Sequence, residues 1–131
     1  MVRIRLIDQD FAQQCLLEHL VESDYEFLGD HKNIIDKAIV FMGYKDGNVA
    51  GYVWFYPVDD YGTWVVHMSV LERYRSRFLS KTLVNTVFPT CYGLGCETVL
   101  AENKSSEILE RIGGERLPTG GVNLKLPFIW R

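Results

Sequence analysis

Long apolar runs are missing from this chain of 131 residues. No stretch approaches the ~20 consecutive apolar residues that span a bilayer. The opening residues set Arg3 and Arg5 among alternating apolar ones, unlike the continuous apolar core of a signal peptide. Cysteine is scarce as well. Cys15, Cys91 and Cys96 are odd in number, form no CxxC pair and have no histidine at zinc-ligand spacing. Neither a disulfide framework nor a metal centre is therefore expected, and a reducing cytoplasm is the simplest setting. An excess of positive charge is also absent. The net charge of -3 gives no electrostatic reason to expect non-specific binding to nucleic acid or to a membrane surface. Repeats and low-complexity segments are lacking too, and the length suits one domain, residues 1–131, burying roughly two thirds of its unfolded surface.

What is present reads as alternating strands and helices. Residues 2–7 alternate as a strand with one half-buried face, and Asp8 is a plausible cap for a helix over about 9–21, where Phe11, Cys15, Leu16, Leu20 and Val21 recur at helical spacing. Residues 22–37 are mixed. Residues 38–44 and 49–56 read as two strands joined by Lys45-Asp46-Gly47-Asn48, a strong short-range hairpin signal. A connection at 57–62 leads to a third strand at 63–70, so an all-parallel sheet is excluded. The spacing then predicts a helix closed by Pro89, a strand at 97–101 parallel to the third, a short helix over 105–112 stopped by Gly113-Gly114, and closing strands at 115–117 and 124–130.

The most informative stretch is Val65 to Val84. An apolar strand runs through a turn carrying Arg73, Arg75 and Arg77 into an amphipathic helix with Leu79, Leu83, Val84, Val87 and Phe88 on one face. The first N–H groups of a helix have no intrahelical partner and its dipole favours negative charge, so a phosphate is the natural guest. Ser76 is the best N-cap candidate. The arginines read equally well as the solvated rim of a turn, although three cations within five residues of an acidic chain favour an anionic ligand.

From Val66 to about Gly114 the chain resembles the GNAT family of N-acetyltransferases. Their fourth strand ends in a pattern like V-x-x-x-x-R-G-x-G-x-G/A before a helix. The matching letters here are Val70 and then Tyr74-Arg75-Ser76-Arg77-Phe78-Leu79-Ser80-Lys81. Arg75 takes the leading position and Ser80 the final small one, while Phe78 stands where the family has a glycine that lets the backbone approach the phosphates. The resemblance is nearest to a divergent branch encoded by tailed phages, in which Leu-Gly-Cys follows the helix, as Leu94-Gly95-Cys96 does here.

That resemblance implies an α+β fold with a mixed, mostly antiparallel twisted sheet of six to seven strands flanked by three to four helices. It implies acetyl-CoA as cofactor, with no metal, and an amine acceptor that is a small molecule or a protein. Cofactor contacts are expected at Met68, Val70, Arg75, Ser76, Arg77, Phe78, Leu79, Ser80 and Lys81, and at Asn103, for which Glu102 is the alternative aligned position. No nucleic acid or membrane is expected as a partner, a homodimer is left open, and the host cytoplasm is the setting if the protein is phage-encoded.

Acetyl transfer to an amine needs a base for the ammonium proton and a proton for the leaving thiolate. His67, on the strand entering the arginine turn, titrates near neutrality and suits the base; a hydrogen-bonded structural histidine is the other reading. Many family members supply the second proton from a tyrosine in a Tyr-x-x-Leu-Gly run. Leu109 stands at that place here, which leaves Tyr92 or water. On the central strand Tyr52, Trp54 and Tyr56 alternate with Val53 and Phe55, one face for the core and the other for core or an acceptor groove. Two functions follow: an N-acetyltransferase, or a binding or structural module of a phage on a fold that has lost catalysis.

Overall fold

The computed structural model describes residues 3–7, 39–45, 47–70, 80–102 and 105–131. The expectations for 8–38, including the helix over 9–21 with Asp8 and Cys15, lie outside the described residues. So do Arg73, Arg75, Ser76, Arg77, Phe78, Leu79 and Asn103.

Seven strands form one sheet in the order β1-β2-β3-β4-β5-β7-β6. They are β1 (Arg3–Ile7), β2 (Ile39–Lys45), β3 (Asn48–Pro57), β4 (Thr63–Val70), β5 (Thr98–Ala101), β6 (Glu115–Arg116) and β7 (Val122–Lys125). Two helices, α1 (Lys81–Gly93) and α2 (Ser105–Arg111), complete the described elements. The β2–β3 hairpin closes at Lys45↔Asn48 across the Asp-Gly turn, where the sequence placed it. Pairing is antiparallel throughout except for β4 and β5, which run parallel because α1 carries the chain across between them. This is the mixed, mostly antiparallel α+β sheet expected above.

Alternation along the strands sorts the side chains onto two faces. Val53 and Phe55 of β3, Val66 of β4, Val99 and Ala101 of β5, and Val122 and Leu124 of β7 join one core cluster with Leu83, Val84, Val87, Phe88 and Cys91 of α1 and Leu109 of α2. Each large apolar side chain buried there contributes about 1.5–3 kcal/mol. Phe55 meets Phe41 and Phe88 edge-on, with ring centroids 5.9 and 6.0 Å away. The opposite face carries Tyr52, Trp54, Val65 and His67, all buried, and Tyr56, half-buried.

Three local expectations are corrected. Helix α1 begins at Lys81, with Ser80 in extended geometry (φ -142°, ψ 162°), its Oγ accepting from the Leu83 N–H at 3.1 Å. Ser76 is therefore not its cap. Two serines stood four residues apart beside the same apolar stripe, and the later one takes the turn. The helix also continues through Pro89 to Gly93 rather than closing there. A proline inside a helix forfeits one backbone hydrogen bond, and the buried Val87, Phe88 and Cys91 hold the segment helical on both sides of it. Leu94-Gly95-Cys96 then forms the stop. The Cys96 N–H donates to the Cys91 carbonyl and the Gly95 N–H to the Tyr92 carbonyl, with Gly95 at φ 109°, the Schellman arrangement.

The third correction concerns the closing strands. β7 starts at Val122 and ends at Lys125, whereas residues 124–130 were expected to be strand. Leu126 keeps one ladder bond, its N–H donating to the Glu97 carbonyl, and Pro127 has no N–H to offer. Phe128 and Trp130 pack against the core from irregular backbone, Phe128 edge-on to Phe88 at 6.4 Å.

Candidate active site at the parting of two parallel strands

β4 and β5 pair at three rungs, Thr63↔Thr98, Trp64↔Val99 and Val65↔Leu100, and no further. β4 goes on to Val70, held on its other side by β3 up to Gly51↔Val70. β5 turns away with β7, to which Ala101↔Val122 still binds it. Beyond Val65 the sheet is thus split. Along Val66–Val70 no described strand pairs with the edge of β4 that lies away from β3.

The residues around the split come from four elements. His67 lies on β4 just past the last shared rung and is 5% exposed. It sits opposite Trp54 of β3, with ring centroids 4.6 Å apart and planes tilted by 52°. The Trp54 Nε1 is buried and finds no hydrogen-bond partner among the described residues. Met68 packs, partly buried, against the core on the other face, and Val70 ends the strand. At the start of α1, Ser80 is half-buried while Lys81 and Thr82 are exposed, so the first turn of the helix is open to an anion and already carries a cation. That turn holds no acidic residue.

Tyr56 and Glu102 complete the group. Tyr56 pairs with Val65, which in turn pairs with Leu100, so it stands on the rung where the strands part. Glu102 follows Ala101 and is exposed. Burial first, and the charge of Glu102 second, push the Tyr56 phenol above its ordinary pKa. The sequence left Tyr56 as a core or groove residue and Glu102 as an alignment alternative; only the sheet register brings them together. Tyr92, one sequence candidate for a proton donor, lies in the last turn of α1, roughly 18 Å along the helix from Ser80. Leu109 is 3% exposed in the core. Among the described residues, no three His, Cys, Asp or Glu side chains converge as metal ligands, and no helix is long and apolar enough to cross a membrane.

Comparison with known proteins identifies this architecture, a sheet whose central parallel pair ends part-way with a helix starting beyond it. The sequence profile described as Acetyltransferase (GNAT) family matches residues 3–111. The chain belongs to that family. No curated protein matches the sequence. Among solved structures, a GNAT N-acetyltransferase (YhbS) from Escherichia coli in complex with CoA is similar at TM-score 0.67 and 23% identity, covering 96% of this chain and 81% of that one. A GNAT-family acetyltransferase from Staphylococcus aureus Mu50 gives TM-score 0.66 at 13% identity, covering 96% and 99%. A ribosomal-protein-alanine N-acetyltransferase from Brucella melitensis gives 0.62 at 17%, covering 95% and 99%. At these identities the likeness is one of fold.

Proposed function

We propose that this protein is an acetyl-CoA-dependent N-acetyltransferase acting on an amine. The observation that carries the reading is the end of β4–β5 pairing at Val65↔Leu100, which leaves the outer edge of β4 without a described strand next to the open first turn of α1. The residues present fit the cofactor. Main-chain groups around Met68 and Val70 can bind its pantetheine amides as an added strand would. The helix start at Ser80 and Lys81, with Arg75, Ser76, Arg77, Phe78 and Leu79 before it, is the place for its pyrophosphate. Asn103, just beyond β5, would meet it from the far side of the split. When bound, acetyl-CoA supplies an activated acyl group on a thioester.

The chain's own part is to orient an amine at the split and to manage two protons. His67 is assigned the base: a neutral imidazole beside the opening takes the proton that the ammonium must lose before its nitrogen can attack. Contact with the tilted Trp54 ring, 4.6 Å away between centroids, helps to orient the imidazole. The setting proposed for the protein is the cytoplasm.

A catalytically silent binding module is the second reading, favoured by Leu109, whose core side chain has no proton to give. Ligand-linked stability tests both. Acetyl-CoA at about 100 times its Kd should stabilise the fold by roughly 2.7 kcal/mol and raise Tm. No rise at millimolar cofactor would defeat the proposal. If the cofactor binds, His67→Ala should leave binding intact and remove most turnover; unchanged turnover would cancel the base assignment.

A further inference from the structure

Breaking a thioester leaves a thiolate, and a side chain that protonates it must carry a proton at working pH and stand where the sulfur departs. On the face of the sheet that holds His67, parity places few such groups near the split. Leu100 and Glu102 share that face because Val99 and Ala101 point into the core. Tyr56 shares it because Val53 and Phe55 point the other way. A carboxylate is ionised near neutrality and cannot donate, and His67 is engaged as the base. Tyr52 is 3% exposed and faces Ser69, two rungs beyond His67. Tyr56 is half-buried, at the last shared rung of β4 and β5.

We propose that Tyr56, on the last rung shared by β4 and β5 and on the face that holds His67, is the proton donor to the departing sulfur. This rests on the acetyltransferase reading above. The step balances without any redox partner. The amine nitrogen bonds to the carbonyl carbon, the C–S bond breaks with its electron pair passing to sulfur, and the Tyr56 O–H proton goes to that sulfur. The phenolate left behind is reprotonated through solvent by the proton His67 took from the amine. Burial and the Glu102 charge both disfavour a standing phenolate, so the phenol carries its proton near neutrality. The other titratable groups that the register places on this face are Tyr52, Tyr44 of β2, Arg3 and Arg5 of β1, level with Tyr44 and Met42, Glu115, level with Asn123 and so with Leu100, and Lys125, level with Thr98 below the split.

Two measurements test the assignment. In the first, the protein labelled with ¹³C at the tyrosine ζ-carbon is titrated with CoA in its thiol form, binding being followed independently by thermal shift. The Tyr56 resonance, assigned by its loss in Tyr56→Phe, should move on saturation, and Glu102→Gln should lower its titration midpoint. In the second, thiol release from acetyl-CoA is followed with lysine, spermidine and tryptamine as trial amines. Tyr56→Phe should lower kcat by about 100-fold, with KM for acetyl-CoA within about twofold and Tm unchanged, while Tyr61→Phe, at an exposed tyrosine, keeps wild-type kcat. CoA binding with an unmoved Tyr56 resonance overturns the assignment, as does turnover by Tyr56→Phe within about twofold of wild type. Absence of CoA binding to the wild-type protein instead removes the acetyltransferase reading itself, and this proposal with it.

Discussion

Asn85 and Trp130, 45 residues apart in sequence, are bonded to each other twice: the Asn85 side-chain amide donates to the Trp130 carbonyl at 3.1 Å, and the Trp130 N–H donates to the Asn85 Oδ1 at 2.8 Å. One side chain on α1 thus does for Trp130 what a neighbouring strand would do. Asn85→Ala leaves both backbone groups of a part-buried residue unpaired and should cost about 1–3 kcal/mol. Urea denaturation measures it. Asn85→Leu, which keeps volume without hydrogen bonds, should lose a comparable amount; full stability in that variant would show that packing alone holds the C-terminal segment.

The same pair shows where sequence reading stops. Phe128-Ile129-Trp130 is a run of strand-favouring residues, and such composition cannot distinguish a ladder partner from an asparagine side chain on a distant helix. The succession of elements along the chain, the Asp-Gly hairpin and the parallel β4–β5 unit were legible because each is written in local spacing. The start of α1 was not: the local reading favoured Ser76 as the cap, and only the extended backbone at Ser80 shows that the helix begins four residues later. His67 was legible as a candidate from residue type. The nearness of Tyr56 to Glu102 depends on register across three strands, which no single segment encodes.

Gly114 and Gly47 should respond differently to alanine. A Cβ on Gly114 would lie 2.6 Å from Val122 Cγ1 and 2.8 Å from the Leu109 carbonyl oxygen, because α2 crosses β7 there with no room between. Gly114→Ala should cost about 1–3 kcal/mol or more through overpacking. At Gly47 nothing lies within 4 Å, but φ is 80°. Alanine there should lose only about 1–2 kcal/mol, from backbone strain in the hairpin turn. Paired thermal unfolding of the two variants checks the ranking; a milder effect at Gly114 would contradict the packing described.

Ser80 links the fold to the proposed site. Removing the hydroxyl in Ser80→Ala should destabilise the protein by about 1 kcal/mol, since the Leu83 N–H loses its acceptor. Ser80→Asp offers an equally good cap and should restore stability. It also puts a negative charge where a pyrophosphate is proposed to sit, so acetyl-CoA affinity should fall even as Tm recovers. Calorimetric binding beside thermal melts separates the two effects. Equal affinity in the Asp variant and wild type would move the phosphate site away from this helix.

The Schellman stop of α1 makes a prediction about alkaline pH. Cys91 and Cys96 flank the turn, both fully buried, and the Cys96 Sγ–H reaches the Thr98 carbonyl at 3.5 Å. Burial pushes the Cys96 thiol from 9.0 up to about 11, and the Cys91 thiol is raised further, by burial and by its neighbour Cys96. Between those two pH values the folded chain keeps the Cys96 proton while the unfolded chain has released it. Unfolding then releases a proton, and stability falls as pH rises. The contribution is fully present below about pH 9 and is lost as the pH climbs through about 11. Tyrosines and lysines titrate over the same range, so the informative quantity is the difference in unfolding free energy between wild type and Cys96→Ala. That difference should shrink steadily from pH 9 to 11 in urea titrations. A constant difference would mean that the thiol ionises as readily in the fold as in water, and that the helix stop is open to solvent.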